Sequence, residues 1–230
     1  MAYDAAALLH QPMSHDFPPT DRSRVRRDDR ARYDRKSIHS VLDEAVFCHV
    51  GIVDEGRPVV IPMLHARLGD RLLLHGSPAT RLLRLLKTRP EICVTATVLD
   101  GLVLARSAFH HSANYRSVVV FGRPEPVTDL EERRQALDAL TDRLVPGRRR
   151  ELRPMTEKEI RGTAMVRLDI TEASGKVRHG PPIDDEEDLD WPVWAGVLPV
   201  TTNFGVPVPD AHTPPATDLP AHIEEMLRRG

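Results

Sequence analysis

Between residues 37 and 171 the chain changes its apolar period several times. Ile38, Val41, Leu42 and Ala45 share one face at helical spacing, which predicts a helix from Ser37 to about Ala45. Phe47 to Val53 then reads as a strand. Asp54-Glu55-Gly56 supplies a turn with a glycine for positive φ, and Val59 to Arg67 is the return strand of a hairpin. Leu68-Gly69-Asp70 is a second turn, and Arg71 to His75 a third strand. A helix follows Pro78, with Leu82, Leu83, Leu85 and Leu86 as its buried stripe, and Pro90 stops it. Ile92 to Ala105, broken by Asp100-Gly101, and Tyr115 to Gly122 are long β-prone runs. Leu130 to Leu144 is amphipathic behind the N-cap candidate Asp129. Thr156 and Glu159 form a capping-box pattern for a short helix to Arg161, and Thr163 to Thr171 is a last strand. About six antiparallel-type strands joined mostly by tight turns predict a mainly β protein, a closed or partly closed barrel with a few flanking helices. The tight turns exclude a βαβ sheet.

The ends differ from this middle. Residues 1–34 form a polar arm in which Arg and Asp alternate, and the interleaved Asp28, Asp29 and Asp34 argue against a polyanion-binding role. Residues 35–180 hold the barrel. Residues 181–230 are rich in Pro and acidic residues, and the apolar island WPVWAGVLPV within them is expected to dock on the barrel or on a partner chain. The acidic run DDEEDLD reads as a solvated linker.

Composition narrows the function. A formal net charge of -2 over 230 residues gives no argument for nucleic acid or an anionic membrane as partner. No apolar stretch is long enough to span a bilayer, and the N-terminus lacks a secretory signal pattern, so a cytoplasmic location is expected. Cys48 and Cys93 lie inside apolar runs and read as small buried hydrophobes rather than a disulfide or a zinc site.

The stretch HGSPATRLLRLL, residues 75–86, carries the most chemistry. A strand that ends in a small-residue turn at a helix start offers backbone N–H groups, the Ser77 hydroxyl and the Arg81 guanidinium to one anion. Pro62 in mid-strand marks an edge or bulge where a flat ring can bond to open backbone. The sequence holds eleven His and neither an HExxH motif nor a Cys/His cluster, so no metal site is assigned. His65 and His111 are the candidates for a pocket that donates a proton or hydrogen bond to a small-molecule substrate. Lys176 and Arg178, in Ser-Gly-Lys-x-Arg, are candidates to meet an anion or the electron-rich side of a cofactor ring.

Four segments, in order, resemble the pyridoxamine 5′-phosphate oxidase-like split barrels that bind flavin mononucleotide (FMN). They are GIVDEGRPVVIPMLHAR, LLLHGSPATRLLRLL, ICVTATVLDGLVLARSAFHHSANYRSVVVFGRP and SGKVRHGPP. The chain is most similar to the branch that includes the nitroimidazole-resistance reductases. The resemblance implies a six-stranded antiparallel split barrel and a homodimer with FMN in the groove between the chains. It implies that His75, Gly76, Ser77 and Arg81 hold the phosphate, and that the backbone of Ile61, Pro62, Met63 and Leu64 runs beside the ring. Asn114, Tyr115, Arg116 and Ser117 would close over the cofactor from the partner chain, and Trp194 would supply an aromatic wall. The chain departs from well-known members at Leu82, which follows Arg81 where many carry an Arg-Lys pair. The pyridoxal-phosphate residues of the true oxidases are not found. The implied activity is an FMN-dependent reductase or oxidase of a small organic substrate. A non-catalytic flavin carrier or sensor, and a haem protein on the same barrel, stay open as alternatives.

Overall fold

The computed structural model describes residues 16–88, 90–214 and 217–229. The strands are β1 (Ala31–Arg32), β2 (Phe47–Asp54), β3 (Arg57–Leu68), β4 (Arg71–Gly76), β5 (Ile92–Leu104), β6 (Ser112–Gly122), β7 (Glu125–Pro126), β8 (Ala164–Asp169), β9 (Glu172–Arg178) and β10 (Gly196–Pro199). The helices are α1 (Arg35–Glu44), α2 (Arg81–Leu86), α3 (Leu130–Leu144), α4 (Glu157–Gly162) and α5 (Ala221–Arg229). One antiparallel sheet runs in the order β1-β9-β6-β5-β2-β3-β4-β8-β7, and β10 adds to β5.

Ten strands replace the expected six, for two reasons. The last expected strand ends at Thr171, yet Glu172–Arg178 forms β9 and pairs with both β1 and β6. The short strands β1, β7 and β10 carry too few residues for any period. The break expected at Asp100-Gly101 is a register shift between Leu99 and Gly101, so β5 runs through it as one strand.

Local chemistry sets the boundaries. Asp34 opens α1 by accepting from the Ser37 backbone at 2.8 Å, which starts the helix earlier than expected. Thr156 and Glu159 make the full capping box of α4, and Asp129 caps α3. Glu55 and Gly56 take positive φ, 50° and 74°, at the β2–β3 turn.

The main core fills the barrel with Cys48, Val50, Leu72, Leu74, Val94, Val118 and Val166, sealed by Ile38 and Leu42 of α1 and Leu83 and Leu86 of α2. Truncating a fully buried side chain here, such as Leu74→Ala, costs about 2–5 kcal/mol. Burial pushes the Cys48 thiol up to about 12, which leaves it an inert core group. A second core, Ala66, Leu73, Val127, Ala136, Leu140 and Met165, lies between the sheet and α3.

Part of the N-terminal arm, residues 1–15, lies outside the described residues. From Asp16 onward it follows the barrel: Phe17 is buried, and the Tyr33 hydroxyl accepts from the Val25 backbone at 2.8 Å. Beyond Pro181, Asp184 accepts from the Arg106 backbone and guanidinium at 2.8 and 2.9 Å. The apolar island then pairs with β5 as β10 of the same chain. Among the described residues no helix is long and apolar enough to cross a membrane.

Candidate cofactor site

The turn after β4 is built from its own polar atoms. Ser77 O accepts from the Thr80 backbone at 3.0 Å and its hydroxyl at 2.9 Å, and the Ala79 backbone donates to Ser77 Oγ at 3.3 Å. Thr80 caps α2 by accepting from the Leu83 backbone at 3.4 Å. A Cβ on Gly76 would lie 3.1 Å from Leu83 Cδ2, so a larger residue there would need the Leu83 side chain to give way. Arg81 stands at the helix start and points to Asp54: its Nε donates to Asp54 Oδ2 at 2.6 Å. The expected anion donor therefore has a carboxylate partner, held at the end of β2.

His75 precedes this turn. It is half-buried, its Nδ1 makes no hydrogen bond, and burial lowers its pKa, so the ring is neutral near pH 7. Alternation along β4 puts His75 on the face of Leu73, the outer side of the barrel wall.

The β3 segment splits as a strand must. Ile61 and Met63 pack against the barrel core, whereas Pro62 and Leu64 lie on the outer side, opposite His49 and Phe47 of β2. β4 pairs with β3 only from His65 onward, so among the described residues the edge of Val59–Leu64 away from β2 is open. A proline is tolerated there because no ladder partner needs its missing N–H. The outer side of β2 and β3 is apolar: Phe47 is 53%, Val53 64% and Val60 63% exposed.

The β6 segment forms a second cluster. Asn114 is buried; its amide donates to Gly180 O at 3.1 Å and its oxygen accepts from Arg178 Nη1. Tyr115 pairs with Arg178 across the strands, and Lys176 Nζ lies 5.9 Å from the Tyr115 ring centroid. Arg116 is committed to carboxylates: Nη2 donates to Asp100 at 2.6 Å and to Glu44 at 2.7 Å, and these hydrogen bonds push its pKa up. It acts as a clasp between α1 and β5 within the chain. Ser117 Oγ donates to Lys176 O at 3.4 Å.

The two clusters share a sheet and stay apart within one chain, because β5 and β2 lie between β6 and β3. Trp194 is 68% exposed and folds back over Gly196, where an added Cβ would come within 2.9 Å of its ring. His65 is placed away from any open pocket: it is 1% exposed, its Nε2 lies 2.8 Å from Leu42 O, and burial lowers its pKa. His111 is exposed, and its Nδ1 lies 2.8 Å from Ser107 O, which leaves Nε2 outward. Sequence reasoning missed Asp54 as the partner of Arg81, because an Asp in a turn signals only the turn.

The family model described as pyridoxamine 5′-phosphate oxidase matches residues 34–177. The structure is similar to that of the flavocytochrome Anf3 from Azotobacter vinelandii, with 43% identity, a TM-score of 0.84, and coverage of 91% of this chain and 98% of that one. It is similar to a FAD and heme binding protein from Mycobacterium smegmatis, with 38% identity, a TM-score of 0.83 and coverage of 86% and 97%. A protein described as a 5-nitroimidazole antibiotic resistance protein, from Bacteroides thetaiotaomicron, matches at 27% identity and a TM-score of 0.55, covering 64% and 86%. No curated protein matches the chain.

Proposed function

Because this chain belongs to the pyridoxamine 5′-phosphate oxidase-like family, we propose that it is a flavin-binding redox protein acting on a small organic substrate. One observation carries the reading: over nearly their whole length, two proteins named for flavin or flavocytochrome content share 43% and 38% of their residues with it. When bound, the flavin supplies electron transfer to and from the substrate; the protein positions and tunes it.

The chain's own groups suit that task. The open β3 edge at Pro62 offers backbone to a flat ring, and the Gly76–Ser77 turn beside Arg81 suits the phosphate of the FMN moiety. Lys176 above Tyr115 is a cation suited to a ring that gains negative charge on reduction. The outer faces of β2 and β3 expose Phe47, Val53 and Val60, an apolar surface suited to a second copy of the chain. In such a pair Asn114, Tyr115 and Ser117 of one protomer would complete the site of the other.

A second cofactor is favoured by the same relatives, whose names state haem or cytochrome. The donor set fits: His75 is neutral with an unclaimed ring nitrogen, and His111 holds one nitrogen on a carbonyl and presents the other outward. An axial haem ligand needs such a ring. The absorption spectrum and released-ligand mass of the purified protein test both readings. Paired flavin bands are expected, with a Soret band if haem is present. A colourless protein that takes up neither FMN nor FAD overturns the flavin reading.

A further inference from the structure

Resting on the pairing of two copies proposed above, we infer that residues 201–209 form a strap that each protomer lays across the outer β3-β2-β5 face of the other. The stretch WPVWAGVLPVTTNFGVPVP, residues 191–209, holds no charged side chain, in a chain of which 29% is charged. Residues 196–199 of it dock as β10, and the Val200 backbone makes the last tie, donating to Asp100 O at 3.1 Å. From Thr201 to Pro209, among the described residues, no hydrogen bond joins the segment to the rest of the chain. Every residue of it is exposed, and Phe204, Val206 and Val208 stand at 61%, 91% and 89%. Pro207 and Pro209 favour extended backbone at the residues before them and lack the N–H that a sheet position would use. A run of large apolar side chains left in water marks a contact surface.

The outer sheet face has the same character. At their outward positions, β2 from Phe47 to Val53, β3 from Pro58 to Leu64 and β5 from Cys93 to Leu99 carry no Asp, Glu, Lys or Arg. Both ends of the strap are fixed beside that face. Its start hangs from Asp100, which Arg116 joins to Glu44 at the end of α1. Beyond it, α5 returns to the turn after α3, where a Cβ on Gly147 would lie 3.2 Å from His222 Cβ. Arg143 near the end of α3 in turn donates to Ala45 O at 3.1 Å, just ahead of β2. The strap leaves its own face uncovered, since Phe47 and Val60 stay exposed, and stands at the rim where a docked body would meet it. Nine extended residues reach about 30 Å and three neighbouring strands span about 10 Å, so the strap is long enough to cross the face. A second copy is the occupant this arrangement selects. In a two-fold pair each chain brings one uncharged face and one uncharged strap, so a single contact, made twice, covers both.

The test uses the full-length protein in two experiments. In sedimentation over a dilution series the wild type is expected to be a dimer. Combining Phe204→Asp, Val206→Asp and Val208→Asp is expected to raise the dimer dissociation constant by at least about 100-fold. All three positions are exposed in the single chain, so the variant is expected to keep its fold, which circular dichroism checks. In the second experiment, benzoylphenylalanine at position 204 is expected to join two chains on irradiation, with the attachment mapped to residues 47–64 or 93–99 of the other chain. This crosslink carries the test if the triple variant does not fold. A wild-type dimer that the triple variant leaves equally tight, or an attachment within the same chain or elsewhere on the other, overturns the strap and leaves the pairing standing. A monomeric wild type overturns the pairing and the strap together, and its absorption spectrum still decides the flavin reading.

Discussion

Arg81 and Asp54 tie the start of α2 to the end of the β2–β3 hairpin: Arg81 Nε donates to Asp54 Oδ2 at 2.6 Å, and the Asp54 side chain is 13% exposed against 57% for Arg81. The carboxylate is the fixed member of the pair and the guanidinium the accessible one. An arriving phosphate would thus meet a positioned Arg whose charge is partly matched. Arg81→Ala is expected to weaken flavin binding by about 1–3 kcal/mol, and Asp54→Asn to strengthen it by leaving Arg81 uncompensated. Calorimetric titration checks both. An Arg81→Ala affinity equal to wild type would place the phosphate elsewhere.

The docking of β10 depends on Gly101. A Cβ there would meet Leu198 O at 3.0 Å and Val197 Cγ1 at 3.1 Å, both on β10. The clash involves backbone, so β10 must move. Gly101→Val is expected to release the 196–199 strand, at a cost of about 1–3 kcal/mol for overpacking, while the barrel stays folded. Faster proteolysis after residue 190 and a shift in Trp194 fluorescence would report the release. An unchanged digestion pattern would mean that β10 adapts in place.

Features written locally in the sequence match the structure, and those that depend on distant partners do not. The Asp54-Glu55-Gly56 turn, the Asp129 cap and the Thr156–Glu159 capping box each need only neighbouring residues, and each is present. Glu172–Arg178 becomes a strand because β1 and β6 flank it, so its own composition is silent. The site divides in the same way. The β4 turn is visible as a motif, but Arg81–Asp54, Arg116–Glu44 and Arg178–Asn114 join residues 27, 72 and 64 positions apart. His65, a pocket candidate by its strand position, is taken inward by the C-terminal carbonyls of α1, since Leu42 O accepts from its ring.

Stability should fall on mild acidification because of His65. The folded chain holds this ring neutral, its pKa lowered chiefly by burial, whereas the unfolded chain protonates it below about pH 6.5. The unfolded state then binds more protons, so the stability present above that pH is lost as the pH falls towards the folded value. His75 shifts in the same direction and adds to the slope. Thermal unfolding midpoints between pH 7.5 and about 5 are expected to decline in the wild type and to decline less in His65→Gln, which keeps a donor for Leu42 O. Parallel curves for the two proteins would show that His65 does not carry the effect.

The haem reading separates two histidines by their surroundings. A porphyrin is a broad apolar disc, so its axial ligand needs an apolar wall as well as a free ring nitrogen. His75 lies on the outer side of β4 and precedes the cofactor turn; Leu64, just before the β3 residues that pair with β4, and its β2 partner Phe47, which is 53% exposed, lie on that outer side. His111 follows a short 3-10 turn beside His110, which contacts Asp185 at 3.0 Å and stacks edge-on with Phe109, itself 88% exposed. The wall favours His75 over the better-oriented ring of His111. His75→Ala is therefore expected to abolish the Soret band of protein supplied with haem, and added imidazole to restore part of it, whereas His111→Ala keeps the band. Loss of the band in His111→Ala alone would move the ligand to the β5–β6 connection. It would also show that ring orientation outweighs the apolar wall at this site.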